Sequence, residues 1–83
     1  MKPKRVKKKL CALGKAIEHY QNEAFISSYR ISQLTGLTES TLSRLKYGKA
    51  NSSLETIGRI CKVLDIKVSY LFLKCEEYDE NSN

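Results

Sequence analysis

The chain has 83 residues and a formal net charge of +6 at pH 7, with 41% hydrophobic residues, one Pro and no Trp. We expect one compact domain, because a chain of this length has too little apolar surface to build two cores. The composition excludes a low-complexity chain, and no apolar run approaches the roughly 20 residues that span a bilayer. The basic excess favours an acidic partner, of which nucleic acid is the most common.

The charges are distributed unevenly along the chain. Six of the fifteen basic residues precede residue 10, with no acidic residue among them, and we predict a basic flexible arm over residues 1–5. Four of the nine acidic residues lie in residues 76–83, which we predict to be a disordered acidic tail. Residues 10–75 carry nine basic and five acidic residues, so the predicted domain, residues 6–75, is itself basic.

The cysteines predict no cofactor. Cys11, Cys61 and Cys75 are odd in number and show no C-x-x-C spacing, so neither a disulfide framework nor a zinc site is indicated. We predict Cys61 to be an inert core thiol, whereas a redox role for Cys11 or Cys75 has no further support. No signal-peptide apolar block follows the basic start, so the reducing cytoplasm is the expected location.

The first two helices are predicted from periodicity and caps. Apolar residues recur at three- and four-residue spacing over Val6 to Asn22, which predicts helix 1. Ser27 then has the position of an N-cap, so helix 2 is expected from about Ser28 to Thr35. Gly36 follows directly, and Gly is the usual residue for a left-handed helix end.

The same signals recur for helices 3 and 4. Thr38 is the expected N-cap of helix 3, which runs through about Tyr47 and is closed by Gly48. Ser52 and Glu55 have the reciprocal spacing of a capping box, which predicts the start of helix 4. Its predicted buried stripe consists of Leu54, Ile57, Ile60, Cys61 and Leu64.

A last short helix is predicted over about Val68 to Cys75, with Val68, Leu71 and Phe72 facing the core. Gly58 is unusual inside helix 4, and close approach of another backbone is one explanation. The elements together predict a compact all-α bundle of five helices.

Helices 2 and 3, joined by a tight glycine turn, match the helix-turn-helix unit that places its second helix in the major groove of DNA. A rotation of 100° per residue turns Leu42 and Leu45 inward and leaves polar side chains outward. Arg can donate to guanine O6 and N7, Glu can accept from cytosine N4, and Ser or Thr can do either. On periodicity alone, the alternative is that Glu39 and Arg44 are solvated helix charges.

The caps, Gly36, Gly48, the run Thr41-Leu42-Ser43-Arg44 and the stripe of helix 4 occur together at characteristic distances. In these features the chain resembles the phage repressor and Cro type of helix-turn-helix protein, the XRE family, over roughly residues 10–73. The resemblance implies a lambda-repressor-like bundle that binds a palindromic operator as a homodimer. It implies base contacts from Glu39, Ser40, Thr41, Ser43 and Arg44. It implies phosphate contacts from Ser28, Lys46, Tyr47, Lys49 and Asn51.

The chain departs from the family at one pair of positions. Members often carry an acidic residue at the position of Lys46 and an Arg at that of Gln21, which form an internal ion pair. Both of those charges are absent here. We therefore predict that Lys46 is available to bind phosphate.

The sequence thus predicts a sequence-specific, double-stranded DNA-binding transcriptional regulator, most simply a repressor. One His, no paired core carboxylates and no phosphate-binding Gly loop disfavour an enzyme, and no small-molecule ligand is predicted. The alternative is an antitoxin or adaptor that uses the same fold for protein–protein interaction. Two interpretations of the basic arm, contact with DNA and simple solubility, stay open. Tyr70, Leu73 and Tyr78 are the predicted dimer contacts.

Overall fold

The computed structural model describes residues 10–81, and these residues form five α-helices and no strand. The helices are α1 (Ala12–Ala24), α2 (Ser28–Thr35), α3 (Glu39–Lys46), α4 (Leu54–Leu64) and α5 (Val68–Asn81). The predicted all-α, five-helix architecture is confirmed. The predicted arm at residues 1–5, the first residues of predicted helix 1 and residues 82–83 lie outside the described part of the chain.

One core joins all five helices. α1 packs against α5, α3 and α4, while α2 packs against α3 and α4. Burial raises the pKa of the Cys61 thiol and raises that of Cys75 to about 11, so both are protonated at neutral pH and poorly nucleophilic. The predicted core position of Cys61 is confirmed, and its lack of reactivity stays a prediction. The buried apolar residues are Ala16, Ile17, Ile31, Leu42, Leu45, Ile57, Ile60, Cys61, Leu64 and Leu71.

The start of α1 differs from the prediction. Cys11 has extended backbone, and its sulfur accepts a hydrogen bond from the Gly14 amide at 3.4 Å, so the helix begins at Ala12 rather than near Val6. The backbone N–H of Cys11 donates instead to the carbonyl oxygen of Lys46, at 2.9 Å. Gly14 lets the two backbones approach this closely, since a Cβ there would lie 2.1 Å from the same oxygen.

The start of α4 is shifted by one residue from the prediction. Ser53, not Ser52, is the N-cap, and its Oγ accepts from the Thr56 amide at 3.1 Å. Leu54, predicted to be in the buried stripe, is 69% exposed at the first position of the helix. The other four residues of that stripe are buried as predicted.

This difference gives a direct test of the cap. We expect Ser53→Ala to destabilise the protein by about 1 kcal/mol, because the Thr56 amide loses its acceptor. The midpoint of thermal unfolding, followed by circular dichroism, should fall by roughly 4–8 °C. Ser52→Ala is the matched control and should leave the midpoint near that of wild type. A larger loss in the Ser52 variant would contradict the assignment.

α5 is longer than predicted; Leu71 is buried and Val68 packs against the core as predicted, but the third residue predicted to face the core does not. Phe72, predicted to be buried, is 45% exposed, whereas Tyr78 packs against the core and its ring lies 5.9 Å from the Lys15 ammonium. Helix thus continues through the segment predicted to be a disordered tail, as far as Asn81. The contact of Tyr78 with α1 stabilises the additional turns of the helix. The apolar pattern around residue 72 does not reveal this contact, so the sequence predicts too early an end.

Candidate nucleic-acid interface

The turn between α2 and α3 is fixed by local hydrogen bonds. Gly36 has φ 82°, the left-handed conformation predicted for it. The Thr35 hydroxyl donates to the carbonyl of Ile31 at 2.7 Å and accepts from the Leu37 amide at 3.2 Å. The Ser32 hydroxyl donates to the carbonyl of Leu37. Because side chains of α2 hold the turn, α3 has a defined orientation relative to α2.

α3 presents a continuous polar face to solvent. Leu42 and Leu45 are 1% and 2% exposed and attach the helix to the core, as predicted. Thr38 caps the helix by accepting from the Thr41 amide at 3.0 Å, and its hydroxyl also donates to Thr41 Oγ1. Neither the Glu39 carboxylate nor the Arg44 guanidinium has a hydrogen-bond or ion-pair partner among residues 10–79, although the backbone carbonyl of Arg44 accepts from the Lys49 amide at 2.7 Å. The five residues predicted to contact bases are all exposed: Glu39, Ser40, Thr41, Ser43 and Arg44.

A groove of about 200 Å³ lies between the N-terminal part of α2 and the face of α3. It brings together five of the ten predicted site residues, from both predicted classes. Two predicted phosphate contacts, Lys49 and Asn51, are not part of it and are exposed on the loop after α3. The groove is lined by Glu18, Ser28, Glu39, Leu42, Ser43, Lys46 and Tyr47.

The prediction that Lys46 is available for phosphate is wrong. The residue is 5% exposed, and its ammonium donates to Gln21 Oε1, to Ser28 Oγ at 2.8 Å and to Glu18 Oε2 at 3.4 Å. The interhelical polar contact of the family is therefore reversed in polarity, with the cation on α3 and the acceptors on α1 and α2. Glu18, one helical turn before Gln21, supplies the negative charge. The residues at positions 21 and 46 alone do not reveal it.

The N-terminus of α2 offers donors that side-chain chemistry alone did not reveal. Ser27 satisfies the amide of Arg30 at 3.1 Å, but the amides of Ser28 and Tyr29 have no acceptor among the described residues. Such free N–H groups and the helix dipole attract anions. Tyr29 and Arg30 are exposed on this first turn, and the Arg30 guanidinium, which donates to Gln33 Oε1 at 3.3 Å, places a positive charge beside these amides.

Other kinds of site find little support in the described part of the chain. Among residues 10–79, no group of three His, Cys, Asp or Glu side chains is arranged to hold a metal ion. None of the described helices combines the length and the apolar character needed to cross a membrane. His19 is partly exposed and pairs with Glu23 Oε2 at 3.3 Å.

The sequence matches known DNA-binding regulators. Residues 17–72 match the family model of the Cro/C1-type HTH DNA-binding domain. The HTH-type transcriptional regulator PuuR of Escherichia coli (strain K12) is 29% identical over 69 residues, which are 83% of this chain and 37% of PuuR. PuuR of Shigella flexneri matches to the same extent. The chain thus spans 37% of the length of these curated relatives.

Solved structures share the fold. The clp gene regulator ClgR from Corynebacterium glutamicum superposes with a TM-score of 0.78 at 19% identity, covering 87% of this chain and 79% of ClgR. The restriction-modification controller protein C.AhdI from Aeromonas hydrophila superposes with a TM-score of 0.68 at 25% identity, covering 72% of this chain and 91% of C.AhdI. Both similarities extend over most of the five-helix bundle.

Proposed function

Because the chain belongs to the Cro/C1-type helix-turn-helix DNA-binding domain family, we propose that it regulates transcription, as a repressor, by binding double-stranded DNA at a specific operator. α3 enters the major groove, and its exposed polar face contacts base edges. The protein acts without catalysing a reaction, and its site of action is the cytoplasm. The base contacts come from Glu39, Ser40, Thr41, Ser43 and Arg44. The phosphate contacts come from Ser28, Tyr47, Lys49 and Asn51, and from Arg30.

One observation carries this proposal above the others. The exposed face of α3 holds an acid and a base, Glu39 and Arg44, that no described side chain neutralises, next to a helix N-terminus with free amide donors. Unpaired charges of both signs suit hydrogen bonding to base edges, since guanine offers acceptors and cytosine offers a donor in the major groove. The alternative, in which Glu39 and Arg44 are only solvated charges, does not explain why this face lies next to a site that attracts anions.

We propose that the protein binds a palindromic operator as a homodimer. Tyr70 and Leu73 are 51% and 57% exposed on α5 and remain candidate dimer contacts, whereas Tyr78, the third residue predicted for that role, packs against its own core. A two-fold dimer matches two half-sites about one helical turn apart, which is the geometry that an operator with inverted repeats presents.

Selection of binding sites from a pool of random duplexes tests the proposal. We expect enrichment of an inverted repeat, and tighter binding of the selected duplex than of a scrambled one by at least about 10³-fold. Equal affinity for both duplexes at every salt concentration would contradict a specific operator. Binding of a partner protein without measurable affinity for DNA would instead support the antitoxin or adaptor alternative.

The basic N-terminal segment gives a second test. We expect deletion of residues 2–9 to weaken binding to every duplex alike, because six cations are lost. The slope of log K against log salt concentration should become shallower by about 0.9 for each phosphate contact removed. A variant with Gln at the six basic positions controls for chain length and should behave like the deletion. An unchanged slope in both would leave the segment with a solubility role only.

A further inference from the structure

The buried cluster of Lys46, Gln21, Ser28 and Glu18 beneath the α2–α3 groove has a consequence for DNA binding. We propose that Lys46 is a positioning residue, which turns the Ser28 hydroxyl into a fixed hydrogen-bond donor for a DNA phosphate and offsets the charge of Glu18. The proposal rests on the proposed DNA binding and adds to it a role for a side chain that cannot itself reach DNA.

The hydrogen bonds of Ser28 fix the direction of its hydroxyl. Its Oγ accepts from the Lys46 ammonium at 2.8 Å and from Gln21 Nε2 at 3.3 Å. A serine hydroxyl has two acceptor lone pairs and one donor, so both lone pairs are occupied. No described residue accepts a hydrogen bond from this hydroxyl. Since Ser28 lines the groove, the O–H is left for an acceptor that enters from outside, and a phosphate oxygen is such an acceptor.

The same count of donors and acceptors leaves Lys46 no free donor for a direct contact with DNA. An ammonium has three donors, and those of Lys46 are directed to Gln21 Oε1, Ser28 Oγ and Glu18 Oε2. The Gln21 amide is also oriented without ambiguity, because its Nε2 donates to the carbonyl of Ile26 at 3.1 Å and its oxygen faces the cation. Lys46 therefore acts on a bound anion only through Ser28 and through its charge.

The charge of Lys46 has a specific counterpart in the groove. The Glu18 carboxylate lines the same groove and is 45% exposed, so without compensation it would repel a phosphate placed against Ser28. The Lys46 ammonium lies 3.4 Å from Glu18 Oε2, close enough to cancel most of that repulsion. The cluster is neutral as a whole, and the donor that it presents is the Ser28 hydroxyl.

A double-mutant cycle on the full chain tests the coupling, with a short duplex of scrambled sequence as the probe. We expect Ser28→Ala to weaken binding roughly tenfold, as for one hydrogen bond to a charged acceptor. In a chain that carries Lys46→Met, the same Ser28 change should cost less than about twofold, the limit of additivity error. Additive losses would overturn the proposal. If Lys46→Met is unfolded in thermal melts, Lys46→Leu takes its place in the cycle, because it too has no donor for Ser28.

A variant of Glu18 tests the charge while Lys46 stays in place, because the amide oxygen of a Gln can still accept the hydrogen bond from its ammonium. We expect Glu18→Gln to bind the scrambled duplex several-fold more tightly than the control Glu23→Gln does, a difference of about 1 kcal/mol at most. Both changes remove one negative charge from α1, but Glu23 lies away from the groove, beside His19. Equal affinities would overturn the role of Lys46 in offsetting Glu18. Failure of the wild-type chain to bind any duplex would refute the proposed function itself, whereas normal wild-type binding with additive losses would refute this inference alone.

Discussion

Replacing Gly14 with Ala is expected to destabilise the fold by about 3 kcal/mol, the upper end of the usual cost of overpacking. The added Cβ would lie 2.1 Å from the carbonyl oxygen of Lys46 and 2.9 Å from its Cα, and backbone atoms cannot rotate away as a side chain can. α1 and the end of α3 would have to separate, which would also break the hydrogen bond from the Cys11 amide. In thermal unfolding the midpoint should fall by roughly 12–24 °C.

Gly58 provides the matched control for this substitution. It lies inside α4, and a Cβ there would meet no atom within 4 Å, so the close approach considered from the sequence is absent at this position. Gly58→Ala should therefore stabilise the protein by about 0.5–1 kcal/mol through the lower entropy of the unfolded chain. If Gly14→Ala had the same unfolding midpoint as the wild-type protein, α1 and α3 would have to tolerate separation.

Replacing Arg44 with Ala is expected to abolish preference at one base pair of the selected operator. An Arg that donates twice to guanine accounts for about 1–3 kcal/mol of discrimination, or roughly 5- to 150-fold in relative affinity. Competition between the selected duplex and its single-base variants measures this directly. Affinity for a scrambled duplex should change far less, because non-specific binding depends on phosphate contacts.

Arg59→Ala is the matched control for Arg44→Ala. Arg59 carries the same charge on an exposed face of α4, where it pairs with Glu55 at 2.8 Å. Its loss should leave the pattern of base preference unchanged. If the Arg44 variant kept the full preference of the wild-type protein, the face of α3 assigned to base contacts would be incorrect.

Features that depend on a few adjacent residues were predictable from the sequence. The caps at Ser27 and Thr38 and the left-handed Gly36 follow from side chains and backbone freedom at those positions alone, and the structure has them as predicted. The cap of α4 was misplaced because Ser52 and Ser53 are chemically identical neighbours. Only the packing of the helix against the rest of the fold decides which of the two serines becomes the N-cap.

Features that depend on distant residues were not predictable in the same way. Lys46 looked available because its acceptors lie on other helices, as far as 28 residues away in sequence. Phe72 is predicted to be buried because the apolar pattern of the predicted helix ends before Tyr78, and Tyr78 is the aromatic residue that packs against the core. The exposure of the α3 face was predictable, since Leu42 and Leu45 define its opposite side within eight residues.

The hydrogen bond between Cys11 and Lys46 also sets where the basic N-terminal segment is attached. Residues 1–9 leave the described part of the chain beside the last turn of the proposed recognition helix, next to Gly48. The backbones of residues 2–9, which carry six cations, can lie no more than about 30 Å from Leu10, less than one turn of B-DNA. In the proposed complex with DNA, these cations are therefore tethered at high effective concentration beside the bases that α3 contacts. They add phosphate contacts at the same binding site as the recognition helix, next to its C-terminal end.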